Sequence, residues 1–182
     1  MKKNQNPARR FMLKLGAGMV LAALPLTKSL ADVLSELSSN AMVTIEEFSS
    51  DGKSTGAQRV AKIIKTDAEW RASLPAEVYD VTRLGEPDHP YTGSLWNARS
   101  PGIYRCICCG AALFDSDSKF ESGTGWPSFW QPISALNINR EHDLFACSRC
   151  DAHIGVVVAD GPEPTGLRFS ARTLALKFEA RA

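Results

Sequence analysis

The sequence predicts a mainly β domain of antiparallel sheets, with short helices confined to its N-terminal edge. Three observations carry that prediction. From residue 103 onward, short apolar runs at residues 103–106, 112–114, 144–147, 153–158, 167–169 and 174–178 alternate with turn residues, and no long helical pattern separates them. Strands joined so briefly must pair antiparallel, because a parallel pair needs a crossover of a dozen or more residues. Helix signals fall only before residue 86. The third observation is a pair of C-x-x-C knuckles, Cys106/Cys109 and Cys147/Cys150, each at the end of a predicted strand. Each knuckle presents two sulfurs to one ion, and four thiolates complete a tetrahedral shell with no open position, so the site they predict is structural zinc. Two disulfides are the competing reading, and the Gly110 and Asp151 that close the knuckles favour metal. Cys108 is left over, either a small buried hydrophobe or a reactive thiol.

The elements follow in chain order. Residues 1–31 carry Lys2, Lys3, Arg9, Arg10, Lys14 and Lys28 and no acid, then an apolar run over residues 15–26 and a small-x-small end at Ser29-Leu30-Ala31. That is the layout of a cleaved signal peptide. Arg9-Arg10-Phe11-Met12-Leu13-Lys14 fits the twin-arginine pattern, which predicts a periplasmic or secreted product exported already folded. An ordinary basic leader is the plainer alternative. A run of about 12 apolar residues is too short to cross a hydrocarbon core of about 30 Å, so no membrane anchor is expected after cleavage. Of the 182 residues about 150 remain, enough for one core. Without the six leader cations, fifteen basic residues face twenty acidic ones, a charge near −5 that argues against nucleic acid as a partner. Oligomeric state is not legible.

Residues 32–62 are rich in Ser, Gly and Asp without sustained periodicity and read as a loosely ordered lead-in to a domain over residues 63–182. Thr66-Asp67-Ala68-Glu69 is a capping box that starts a helix carrying Trp70, and Pro75 ends or restarts it. Residues 76–84 form a second helical segment closed by Gly85, followed by a Pro- and Gly-rich loop over residues 85–103 that Tyr91, Leu95 and Trp96 pin to the core.

Longer motifs lie among the strands. Gly102-Ile103-Tyr104-Arg105-Cys106, Leu113-Phe114-Asp115, Ser122-Gly123-Thr124-Gly125-Trp126-Pro127-Ser128-Phe129, Cys147-Ser148-Arg149-Cys150-Asp151-Ala152-His153-Ile154-Gly155 and Asp160-Gly161-Pro162-Glu163-Pro164-Thr165-Gly166-Leu167-Arg168-Phe169 closely resemble the B-type methionine sulfoxide reductases. The resemblance runs from about residue 66 to 178. It implies two antiparallel sheets facing each other, a structural Zn2+ on Cys106, Cys109, Cys147 and Cys150 away from the pocket, and reduction of the R epimer of methionine sulfoxide by a cysteine thiolate. It also implies departures. The nucleophile's place in the Arg-(Tyr or Phe)-Cys-x-Asn segment holds Ser170, the Asn holds Arg172, and the second His of the His-Leu-Gly-His strand is Val156. Thr124 stands where some members carry a resolving cysteine. Trp126 would form the pocket wall, with Phe129, His153, Arg168 and Arg172 around the ligand; each also has a plainer reading, as core aromatic, carboxylate partner or loop brace. A serine hydroxyl has no accessible anion near neutral pH and offers no sulfenic acid step. The expectation is therefore a pseudoenzyme that binds a small ligand or an oxidised methionine side chain on a protein. An active reductase using Cys108, and a structural or adaptor domain, are the rivals.

Overall fold

The computed structural model describes residues 41–181. The leader and residues 32–40 of the predicted lead-in lie outside the described residues. Eleven strands form three sheets. A two-stranded sheet pairs β1 (Met42–Phe48) with β2 (Ser54–Ala61); a three-stranded sheet has the order β11 (Leu176–Ala180), β3 (Gly102–Cys106), β4 (Ala112–Asp115). The largest sheet has six strands in the order β5 (Lys119–Phe120), β6 (Ser128–Phe129), β10 (Arg168–Ala171), β9 (His153–Val158), β8 (Leu144–Cys147), β7 (Ile138–Glu141). Every pairing is antiparallel.

The three- and six-stranded sheets face each other across aromatic side chains. Phe114 of β4 stacks on Phe129 of β6 with centroids 4.2 Å apart and meets Phe145 of β8 and Phe169 of β10 edge-on or tilted. Tyr104 of β3 meets Phe129 edge-on at 4.9 Å. Such pairs add to the apolar area they bury, so this layer is the centre of the core. The expected pair of facing sheets is present.

The lead-in is not loosely ordered where it is described. Residues 42–61 form the β1/β2 hairpin, although only Ile45 of the two strands is fully buried. Its anchor is remote in sequence. The amide of Asn137, itself wholly buried, accepts from Glu46 N at 2.7 Å and donates to Glu46 O and Ala112 O at 2.7 and 2.8 Å. One side chain thus satisfies the peptide groups of β1 as a neighbouring strand would.

The helical edge matches the reading closely. Helix α1 (Asp67–Ser73) opens with both bonds of the Thr66/Glu69 capping box, buries Trp70 and ends before Pro75. Helix α2 (Ala76–Tyr79) runs on into a wide turn over Asp80–Leu84 and stops at Gly85. Trp70 is clamped between the cations of Lys65 and Arg83, whose centres lie 4.7 and 4.6 Å from the ring centroid.

Candidate functional site

Two places concentrate chemistry. The first joins the sheets. Cys106 ends β3 and Cys147 ends β8, and each begins the same knuckle: Gly110 N donates to Cys106 O and Asp151 N to Cys147 O, both at 2.9 Å. Gly110 and Asp151 both take positive φ, 81° and 53°, the left-handed turn that brings the second cysteine beside the first. The four sulfurs of Cys106, Cys109, Cys147 and Cys150 lie within 4.8 Å of one another, with closest pairs of 3.7 and 3.5 Å. A tetrahedron of thiolates at about 2.3 Å from an ion has edges of about 3.8 Å, so the cluster fits a metal. Sulfurs joined as disulfides would be about 2.0 Å apart, and all five cysteines are free. The electrostatics agree. Four sulfurs this close cannot all ionise alone: hydrogen bonds with Cys108 and the other cysteines, then burial, hold Cys106 well above the ordinary thiol range. Bonds with Cys106, Cys147 and Cys150 draw Cys109 well below it. A divalent cation resolves the conflict by taking all four as thiolates. Cys108 lies at the edge of this cluster, its sulfur 3.5 Å from Thr82 Oγ1.

The second place is the outer face of the six-stranded sheet. Phe169 of β10 points into the core, so by strand alternation Arg168 and Ser170 point outward. Ser170 pairs with Ser128 of β6 on one side and Val156 of β9 on the other, and Val156 pairs with Leu144 of β8. A bulge brings His153 to the same face. The β8–β9 register shifts between Phe145 and Ala146, and Ile154 and Val157, three apart, are both buried in the core. The remaining positions, His153 and Val156, therefore look out together. Gly155 sits at the shift, where a Cβ would lie 2.0 Å from Ser170 O; only glycine permits that approach.

Around Ser170 the predicted residues separate into three groups. Trp126 is half-buried, and its indole Nε1 donates to Asp88 Oδ1 at 2.7 Å, while Asp88 Oδ2 accepts from Leu174 N at 3.1 Å. The guanidinium carbon of Arg172 lies 5.4 Å from the Trp126 centroid. His153 is half-buried, and burial first, then the charge of Arg172, lower its pKa, so the ring is neutral at pH 7. Neither cause is a carboxylate. Trp126, Arg172 and His153 thus lie together, beside the face that carries Ser170.

Arg168 is placed otherwise. Its Nε and Nη2 both bond Asp160 at 2.8 Å, a fork that ties the start of β10 to the loop leaving β9 and holds the Asp160 carboxyl below its usual range. It braces Ser170 from two positions away. Phe129 is a correction. It is wholly buried between Phe114 and Tyr104, on the inner face, because pairing with Phe169 turns it toward the core; it is not a ligand contact.

Asp88 is the residue that sequence reasoning missed. It stands alone in Pro87-Asp88-His89-Pro90, with no spacing that announces a partner, yet it ties the Trp126 ring to the short helical turn before the last strand. It also lines a cavity of about 500 Å³ with Glu77, Asp80, Val81, Thr173 and Leu174.

A β-rich domain whose two facing sheets are clipped by paired cysteine knuckles defines a SelR domain, and the SelR domain family matches residues 74–180. The peptide methionine sulfoxide reductase MsrB of Herminiimonas arsenicoxydans is 46% identical over 127 residues, covering 65% of this chain and 93% of that protein. For MsrB of Pseudomonas aeruginosa the identity is 44% over 131 residues, covering 67% and 98%. For that of Thioalkalivibrio sulfidiphilus it is 47% over 123 residues, covering 63% and 90%. The chain belongs to the B-type methionine sulfoxide reductase family.

Proposed function

We propose that this protein is an exported, zinc-braced member of the family that binds an oxidised methionine side chain, or a small ligand of like chemistry, without reducing it. The observation that carries the reading is Ser170, at the centre of the outer face between Ser128 and Val156. Reduction would need a thiolate there to attack the sulfoxide sulfur, take up the oxygen as a sulfenic acid and release the thioether. A hydroxyl does not ionise near neutral pH, and no second sulfur receives the oxygen. Val156 beside it has no proton to give. Cys108 is a poor substitute, since its sulfur contacts Thr82 and its cysteine neighbours rather than any residue of the Trp126 face. Four thiolates in a closed shell favour Zn2+, held structurally by Cys106, Cys109, Cys147 and Cys150. The Arg9-Arg10 leader supports a periplasmic or secreted location, and loading of zinc before twin-arginine export would protect the thiols from oxidation.

The test is direct. Mature protein incubated with dithiothreitol and a peptide containing R-sulfoxide should release no methionine above background, while the same peptide raises the melting temperature. A ligand at 100 times its Kd adds about 2.7 kcal/mol to stability. Catalytic turnover that disappears in Cys108→Ser would establish the active-enzyme reading instead, and no stabilisation by any oxidised methionine would leave the fold as an adaptor.

A further inference from the structure

Arg172 is half-buried and makes neither a side-chain hydrogen bond nor an ion pair to another described residue. Among the described residues, Arg83 donates to Cys150 O, Arg105 to Glu179 and Phe48 O, Arg168 to Asp160, and Arg181 to Asp115, while Arg149 lies 4.0 Å from Glu47. Arg172 has no such partner: its Nε is buried without a hydrogen bond, and no carboxylate of the described residues lies within ion-pair distance. Asp88, the carboxylate tied to this site, is turned instead to Trp126 Nε1 and Leu174 N.

The neighbours of that guanidinium restrict what can complete it. One is the Trp126 ring 5.4 Å away, another the neutral His153. An arginine has five donors and no acceptor, so a ligand that engages it brings an acceptor atom. Beside the indole face, that acceptor is best carried by a compact, otherwise apolar group. A sulfinyl group flanked by methyl and methylene carbons has that chemistry, and a thioether lacks the oxygen.

We infer that Arg172 is the specificity-determining residue of this site, donating hydrogen bonds to the oxygen of an oxidised methionine and so discriminating it from methionine. The inference rests on the binding function proposed above and gives it a distinct signature. Recognition through a fixed donor uses the oxygen as an acceptor and makes no use of electrophilic sulfur or of a proton transfer. Methionine sulfone, which no reductase thiol can turn over, therefore binds about as well as the sulfoxide.

The experiment is isothermal titration of the mature, metal-loaded protein with three peptides that differ only at one residue: methionine, R-sulfoxide and sulfone. The expected result is at least tenfold tighter binding of both oxidised peptides than of the methionine peptide. Discrimination should fall to within about twofold in Arg172→Gln and survive in part in Arg172→Lys, with the methionine peptide unaffected throughout. Equal binding of all three peptides to the unmodified protein overturns the role of Arg172 and leaves a non-selective pocket standing. Sulfoxide selectivity that persists in Arg172→Gln, or tighter binding once the side chain is shortened to Ala, overturns it also, the latter by showing that Arg172 fills the pocket. No binding of any peptide overturns both this inference and the binding function beneath it.

Discussion

At the scale of the single residue, the site is a set of small chemical decisions whose sum is electrostatic. On the function proposed above, Ser170 and Val156 stand where a nucleophile and an acid would be, and His153 is the imidazole on that face, held neutral by burial and by the charge of Arg172. This has a measurable sign. A histidine whose folded pKa lies below its unfolded value of about 6.5 binds its proton more readily in the unfolded chain, so it favours folding above that pH. The contribution is lost as the pH falls from about 6.5 through the folded value. Wild type should therefore lose stability between pH 7 and pH 5 more steeply than His153→Gln, read by urea unfolding at each pH. The imidazole resonances should show His153 titrating below 6.5, and Arg172→Gln should move that titration upward, because the smaller of the two causes is then gone. A His153 pKa unmoved by the arginine change would show that the two side chains do not face each other in solution.

At the scale of elements, the hairpin and the knuckles show opposite kinds of legibility. The most buried tie of the β1/β2 hairpin to the domain is one remote amide, beside the bond from Arg105 to Phe48 O. Asn137→Ala leaves Glu46 N, Glu46 O and Ala112 O without their partner, and a buried unsatisfied group costs about 1–3 kcal/mol. Limited proteolysis of that variant should cut first within residues 42–61, while the core fragment persists. Uniform resistance would mean the hairpin has other anchors. Nothing in residues 42–61 announces this contact, since the local pattern is Ser-, Gly- and Glu-rich and its strand register is completed 91 residues away. The strands β5, β6 and β7 are likewise not legible: the first two are two residues long, and β6 completes its pairing on β10, far along the chain. The knuckles, by contrast, are wholly local. Each needs only C-x-x-C and a turn residue, and both were legible, as was the capping box of α1. Because they clip the two sheets together, metal removal should be felt throughout. Structural zinc sites contribute about 10–16 kcal/mol in isolated fingers, comparable to the 5–15 kcal/mol that holds a whole domain folded. A strong chelator should abolish the cooperative thermal transition and the near-ultraviolet signal of the Phe114 layer, and metal analysis should give one zinc per chain. A transition unchanged by chelation would mean that sheet packing alone carries the fold.

At the scale of the whole molecule, the core and the site face are built from opposite sides of the same strands, which is why one can be kept while the other changes. Phe169 and Val157 fill the inner layer while Ser170 and Val156 face out, so chemistry can be exchanged on β9 and β10 without altering a core contact. The same alternation sends Phe129 into the core and Ser170 to the outer face. A resemblance assigns both to the site, but only the register of β6 on β10 shows which face each occupies. The supports of the face are intact: Arg168 on Asp160, Trp126 on Asp88, and the bulge at Gly155 that brings positions 153 and 156 together. If the inactivity proposed above lies in the side chains alone, replacing them should give a reductase. The double variant Ser170→Cys with Val156→His is expected to fold with wild-type cooperativity and to reduce R-sulfoxide slowly in dithiothreitol, with the S epimer untouched. Activity should stay weak for two physical reasons. Arg172 remains where the resemblance implies an Asn, and Thr124 supplies no resolving thiol, so each turnover waits for external reductant to attack the sulfenic acid. Adding Arg172→Asn should raise the rate while lowering affinity for the sulfone, which separates the chemical role of the site from the recognition assigned to Arg172. A correctly folded triple variant with no reductase activity would show that the defect is not confined to these positions, and that the scaffold itself no longer presents a reducible geometry.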